Sequence, residues 1–214
     1  MLKKNSIEPE TQKKYGAPKK NAPVRQSETP MNEFLRQSIH ALGTLSIIAG
    51  IWLIGLETMR ILLATVLLLA LAASVLYHSL SKKLPVHRLL LLVRRQTEKQ
   101  WPLRALIIWN IGVLAALLIF SDSGILTIGL IPLAIGDSVS TVIGKRLGSI
   151  TLMGKKTLEG TGAFFLATAT VCLPFIGLPN ALILGLVTAV LELMPIDDNI
   201  TLALAGPFIA MLLI

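Results

Sequence analysis

Between Gly136 and Gly160 the chain reads Gly-Asp-Ser-Val-Ser-Thr-Val-Ile-Gly-Lys-Arg-Leu-Gly and then, after a short spacer, Gly-Lys-Lys-Thr-Leu-Glu-Gly. An acid inside an apolar segment, followed by glycines, paired bases and a second acid, has the makings of a site for a charged ligand. Asp137, Thr141, Gly144 and Gly148 recur at helical spacing, so one helix face would carry a carboxylate, a hydroxyl and two bare stretches of backbone. Glycine lets a phosphate approach the main chain, and Lys145, Arg146, Lys155 and Lys156 can neutralise a polyphosphate whose metal a carboxylate would hold. Further on, Glu192 lies within a turn or two of Asp197 and Asp198, across a break at Pro195. With Asp137 these acids could supply oxygens to a hard divalent cation, for which Mg²⁺ is the natural choice beside a nucleotide.

Each residue also has a plainer reading. Asp137 lies eight residues before Lys145, roughly 12 Å of helix, so an unpaired carboxylate there would cost several kcal/mol and calls for a function or a partner. Asp197 and Asp198 taken alone would be a solvated loop, and Lys155 and Lys156 alone would be ordinary bases flanking a membrane span. His40 fits a base, a phosphate contact or a headgroup-level histidine. The stretch from Gly148 to Thr157 superficially suggests a phosphate-binding P-loop, but five residues separate its glycines and Lys156 follows Lys155 before any Thr. The sequence contains no dinucleotide fingerprint, zinc-protease motif or Cys/His cluster.

The elements that must position these residues are membrane spans. Mean hydropathy is +0.72 and only 15% of the 214 residues are charged, a balance unsuited to a soluble globule. The net charge of +8 comes from bases that flank apolar runs without aromatic interleaving, which favours anionic lipid headgroups and argues against nucleic acid. The lone Cys172 excludes an intrachain disulfide. Residues 1–30 mix Lys, Pro, Gln, Ser and Thr with almost no large apolar side chains, so a disordered basic tail is expected ahead of a transmembrane catalytic domain over 31–214.

The fold expected is all-α and polytopic, with spans at about 41–56, 61–77, 103–120, 125–143, 160–178, 181–194 and 200–214. Glu57 and Arg60 mark the first turn as a structural pair. Residues 78–102 form a basic loop whose apolar stripe suggests an amphipathic surface helix, and 144–158 form a second basic loop. Seven crossings put every Lys and Arg except Arg60 on one side, which six or eight do not. On that side, expected to be cytoplasmic with the N-terminus, His40, residues 145–159 and the Pro195–Asn199 segment would gather into one site.

Three separately spaced runs carry a resemblance: Gly136-Asp137-Ser138 through Gly144-Lys145-Arg146-Leu147-Gly148, then Lys155-Lys156-Thr157-Leu158-Glu159-Gly160, then Glu192 with Pro195-Ile196-Asp197-Asp198-Asn199. Together they resemble the CTP-dependent lipid-alcohol kinases, the family of dolichol kinase, phytol kinase and the CTP-using diacylglycerol kinase. Glu33, Arg36 and His40 also match that family's N-terminal turn, with Gln37 where Lys is common. The resemblance implies transfer of the γ-phosphoryl of CTP to the hydroxyl of a membrane lipid alcohol. It implies Mg²⁺ on Asp137 with Asp197 or Asp198, phosphates on the four bases, Glu159 orienting a lysine, and an acid, Asp198, as base.

Two other classes bear comparison. Phosphatidate-type cytidylyltransferases share the Gly-rich stretch followed by Lys-Lys-Thr-x-Glu-Gly, but their second signature is missing and the C-terminal segment ends in Asp-Asp-Asn. An ion-coupled transporter would use Asp137 and Glu192 as a relay, yet transport sites favour the bilayer midplane at a repeat interface, and these acids lie toward one end with no visible repeat.

Overall fold

The structure, a computed structural model, describes residues 30–80 and 103–214. The expected basic tail lies outside the described residues, as does nearly all of the expected surface helix. Helix α1 (Pro30–Ile54) and helix α2 (Leu56–Leu80) are longer than the hydropathy pattern suggests and are separated by a single residue, Gly55. Its φ of 87° is a left-handed conformation that glycine adopts without a Cβ penalty. The turn was expected at residues 57–60, but Glu57 and Arg60 lie inside α2, where they form an ion pair one turn apart. Arg60 also donates through Nε to the Leu117 carbonyl at 2.7 Å and through a terminal nitrogen to that of Phe120 at 3.3 Å. A cation thereby satisfies the free carbonyls at the end of helix α3 (Arg104–Ile119).

Asp122 caps the next helix, α4 (Ser123–Ile131), by accepting from the Ile125 N–H at 2.8 Å. Pro132 cannot donate a backbone hydrogen bond, and the chain widens into a π-helical turn over Pro132–Gly136, closed by the Asp137 N–H on the Pro132 carbonyl. Helix α5 (Asp137–Leu147) continues the same rod. The basic loop expected over 144–158 is only partly a loop. After α5 ends, strands β1 (Thr151–Met153) and β2 (Lys156–Thr157) pair antiparallel around Gly154, so the described residues are all-α apart from this small hairpin.

Helix α6 (Leu158–Glu192) is two arms. Gly177, at φ 74° and ψ 167°, breaks it, and Gly185 of the second arm lies against Phe165 and Ala169 of the first, so the arms run antiparallel. Helix α7 (Asp198–Leu213) then threads the bundle. Gly129 of α4 and Gly206 of α7 meet backbone to backbone. A Cβ built on Gly129 falls 2.3 Å from Pro207, a crossing only bare helix surfaces permit.

Burial is inverted relative to a soluble protein. Leu53 and Val75 are 81% and 76% exposed, whereas Thr44, Asn110, Thr168 and Thr188 are fully buried. Among the described residues, four helical segments are long and apolar enough to cross a bilayer: Phe34–Ile54, Leu56–Leu76, Ser123–Leu147 and Leu158–Glu192. The protein is an all-α integral membrane protein. At 16 residues each, α3 and α7 reach about 24 Å, shorter than the hydrocarbon core.

Candidate active site

Three helix ends converge on one point. Asp137 opens α5, Glu192 closes α6 and Asp198 opens α7, and one carboxylate oxygen from each lies within 4.8 Å of the others. The wide turn before Asp137 and the reversal at Gly177 are what bring them there: the first sets the rotation of α5, the second returns α6 to the side on which it began. An acid at a helix start sits in the favourable end of the macrodipole, which suits Asp198. Glu192 is at the unfavourable end and is 1% exposed, so it requires compensation.

Lys156, on β2, supplies part of it. Its ammonium donates to Glu192 and, at 2.7 Å, to Asp198, while the Ser140 hydroxyl donates to Glu192 Oε1 at 3.1 Å. Burial alone would lower the Lys156 pKa, but hydrogen bonds and charge from Asp198 and Glu192 outweigh it and hold the ammonium above its ordinary range. Glu192 and Asp198 thus share one lysine. Glu192 Oε2 is buried with no hydrogen-bond partner among the described residues.

This arrangement fits a hard divalent cation. Oxygens on opposite sides of an octahedral Mg²⁺ are about 4.2 Å apart, close to the spread of the carboxylates, and the orphaned Glu192 oxygen is what such an ion would satisfy. Asp197 was expected to be an alternative ligand to Asp198, but it does not belong to this group. It is exposed and caps α7, its Oδ1 accepting from the Asn199 backbone N–H at 3.1 Å and side-chain amide at 3.0 Å.

The Asn199 amide oxygen in turn lies 2.8 Å from His40 Nε2, so His40 on α1 meets the start of α7. The imidazole also stands edge-on to Trp109 of α3, with ring centroids 5.8 Å apart. Ser138, next to Asp137, donates to the Gln37 carbonyl at 3.3 Å, one turn before His40. A second polar layer therefore backs the carboxylates.

Glu159, expected to orient a lysine, has a second task in the structure: its carboxylate accepts from the Ser149 hydroxyl, from the Ser149 N–H at 3.0 Å and from the Ile150 N–H at 3.3 Å, pinning the turn that leads into the hairpin. The glycines also differ. A Cβ on Gly144 would fall 3.0 Å from Thr157 Oγ1 and one on Gly160 3.2 Å from the Gly144 Cα, while Gly136 packs on Phe164 and Thr168 and Gly148 on Thr157. The close approach they permit is α5 against α6, not backbone against a ligand. Thr157 caps α6, accepting from the Gly160 N–H at 3.2 Å. Thr141 is half-buried one turn past Asp137.

Lys145, Arg146 and Lys155 are exposed around this end of the bundle, Arg146 with its guanidinium 5.9 Å from the Phe34 ring centre. Between the hairpin and the Leu193–Ile196 turn lies an open cavity of about 220 Å³ that reaches Lys155, Lys156 and Asp198. Ser140, Thr44 and Trp109 escaped the sequence reading, since a hydroxyl or indole in an apolar run gives no sign of which partner it will meet.

Comparison with known proteins places the chain. It is 30% identical over 186 residues to an uncharacterized protein of Methanocaldococcus jannaschii, a match that takes in 84% of this chain and 93% of that one. The chain belongs to that protein's family. A shorter match, 48% identical over 61 residues, is to dolichol kinase of Saccharomyces cerevisiae and covers 28% of this chain but 12% of the yeast enzyme. The chain is thus locally related to a lipid kinase. No family model and no solved structure matches the chain.

Proposed function

We propose that the protein is a CTP-dependent kinase that transfers the γ-phosphoryl group to the hydroxyl of a membrane lipid alcohol of the polyprenol, dolichol, phytol or geranylgeraniol type. The observation that carries the reading is the three-carboxylate cluster with Lys156 at one end of a membrane-embedded bundle. The local identity to a dolichol kinase supports it independently. Phosphoryl transfer asks little covalent chemistry of a protein. It needs the donor held in line with the acceptor and the phosphate charge neutralised.

Asp137, Glu192 and Asp198 would hold Mg²⁺, which when bound offsets charge on the phosphate oxygens. Lys156 stands at the same point, and Lys145, Arg146 and Lys155 surround it with positive charge able to draw and seat a triphosphate. Glu159 acts at one remove by fixing the turn before the hairpin that carries Lys155 and Lys156. The apolar outer surface gives an isoprenoid tail a place beside the bundle, with its hydroxyl at the headgroup level.

The reading includes seven crossings, counting the two arms of α6 separately, with the N-terminus and the carboxylate cluster on the cytoplasmic side. Gly55, residues 120–122 and Gly177 then turn on the opposite side, and the bases other than Arg60 stay on the side of the nucleotide.

The test is incubation of purified protein with Mg²⁺, a panel of prenols, diacylglycerol and phosphatidate, and CTP labelled at either the α or the γ phosphorus. Label from the γ position in a lipid monophosphate, with release of CDP, is the expected result. Label from the α position with release of pyrophosphate would assign a cytidylyltransferase instead, and no transfer from either position would end both readings.

A further inference from the structure

The kinase reading leaves open which group removes the proton from the lipid hydroxyl. The carboxylates are poorly suited: Asp198 and Glu192 are bonded to Lys156, Glu192 also to Ser140, and all three acids are those a cation would occupy. Beside them is a group whose lone pair is free. Asp197 can only accept hydrogen bonds, so the Asn199 amide nitrogen must face it, at 3.0 Å, and the amide oxygen must face His40. The 2.8 Å contact from His40 Nε2 to that oxygen is a hydrogen bond only if Nε2 carries the proton. Nδ1 is then the acceptor, and it is buried with no hydrogen-bond partner among the described residues.

The ring is also held from its other side. Trp109 Nε1 donates to Thr44 Oγ1 at 3.2 Å, Thr44 donates to the His40 carbonyl at 3.1 Å, and the Trp109 ring meets the imidazole edge-on. His40 adjoins the carboxylate cluster by two routes: Asn199 directly follows Asp198, and Ser138, which directly follows Asp137, donates to Gln37 one turn before His40. The charged groups near the ring are Arg36, one turn earlier on α1, and Asp197.

We infer that His40 is the catalytic base of the lipid phosphorylation, with Asn199 and Asp197 as positioning residues that fix its tautomer. Nδ1 takes the proton of the lipid hydroxyl as its oxygen forms a bond to the γ-phosphorus. The bond from that phosphorus to the β,γ-bridging oxygen breaks, and its electron pair leaves with the nucleoside diphosphate. The imidazolium so formed is stabilised by Asp197 through Asn199, and it returns its proton to water once the lipid phosphate has left. The orienting chain from acid through amide to imidazole does for this ring what the third member of a catalytic triad does elsewhere.

This rests on the kinase reading, and its test separates the two. Wild-type protein must first transfer the γ label to a prenol; failure there removes the kinase reading itself. With transfer established, His40→Ala is compared with wild type for Mn²⁺ affinity by electron paramagnetic resonance and for kcat and KM. Expected are Mn²⁺ affinity and nucleotide KM within about threefold, a kcat lowered at least about 100-fold, and partial recovery on adding imidazole. Asp197→Ala frees the Asn199 amide to turn its nitrogen toward the ring and place the proton on Nδ1, so kcat should fall at least about tenfold at unchanged KM. Being exposed, Asp197 can be replaced without disturbing the core, which keeps the question open to test should His40→Ala not fold. A kcat within about threefold of wild type in His40→Ala, a loss that imidazole does not relieve, or an unchanged kcat in Asp197→Ala would each overturn the assignment.

Discussion

The ammonium of Lys156 and the carboxylate of Glu192, 36 positions apart, form an ion pair in which the glutamate is wholly enclosed and the lysine is 28% exposed at its side chain. The pair bridges the hairpin to the end of α6, so the return of α6 at Gly177 and the placement of β2 are joined in one contact. Removing the lysine leaves a buried charge behind, which is worse than removing both charges. Lys156→Met should destabilise the protein by about 2 to 4 kcal/mol, read as a lower melting temperature in detergent, and adding Glu192→Gln should recover part of the loss. A double variant less stable than Lys156→Met would show that the charge imbalance is not the cause.

The carboxylate cluster predicts a single divalent site. Asp137→Asn, Glu192→Gln and Asp198→Asn should each weaken Mn²⁺ binding at least about tenfold and lower turnover at least about 100-fold, with melting of the Asp137→Asn protein little changed. Asp197→Asn should leave Mn²⁺ affinity within about twofold, because its carboxylate caps a helix outside the cluster. Equal losses from Asp197→Asn and Asp198→Asn would contradict the geometry.

The α4–α7 crossing gives a packing prediction. Gly129→Ala drives a methyl into the Pro207 backbone, with nothing flexible to give way, and should cost at least about 1 to 3 kcal/mol. Gly162→Ala meets nothing within 4 Å and, lying within a helix, should be neutral or stabilising by about 0.5 to 1 kcal/mol. Thermal unfolding of the two variants side by side reads both.

Glu159 holds the segment between α5 and the hairpin through Ser149 and Ile150. Glu159→Ala should make residues 148–155 a site of rapid limited proteolysis and raise the nucleotide KM several-fold, while leaving Mn²⁺ affinity unchanged. Resistance to protease equal to wild type would mean that the strands alone order the loop.

Sidedness is checked by labelling. With the buried Cys172 replaced by Ala, Gly154→Cys in the hairpin and Ser121→Cys in the α3–α4 turn should react with an impermeant maleimide from opposite faces of sealed vesicles. Reaction of both from one face would refute the crossing pattern proposed for the chain.

Hydropathy and charge made the membrane-spanning helices legible, because both report directly on the solvent each segment prefers. They placed the rod that ends in α5 and a reversal at about 179–180, two residues past the Gly177 break, and the spacing of the acids grouped Asp137 and Glu192 with both Asp197 and Asp198, of which Asp197 stands outside the cluster. Roles that depend on a partner's direction were not legible. Glu159 and Lys156 stand three positions apart in one motif, yet one turns to backbone amides and the other to buried acids. Asp197 and Asp198 are adjacent and chemically alike, and only the start of α7 decides which caps the helix and which faces the cluster. The glycines signalled close approach correctly but not what approaches, since a neighbouring helix and a phosphate ask for the same missing side chain.

The widened turn after Pro132 makes the pocket a matter of counting. It accommodates one residue more than an ordinary helical turn would, and every side chain beyond it is rotated accordingly. Excising Ile135 would restore regular winding and leave the α5 carboxylate near its present face, whereas inserting a further residue there, with no second bulge to absorb it, would swing that carboxylate by about 100° around the rod, away from its two companions, without touching any charged group. Chemistry at the membrane edge is thus hostage to a miscount in a purely greasy stretch, and a lineage could switch it off by gaining a single codon there.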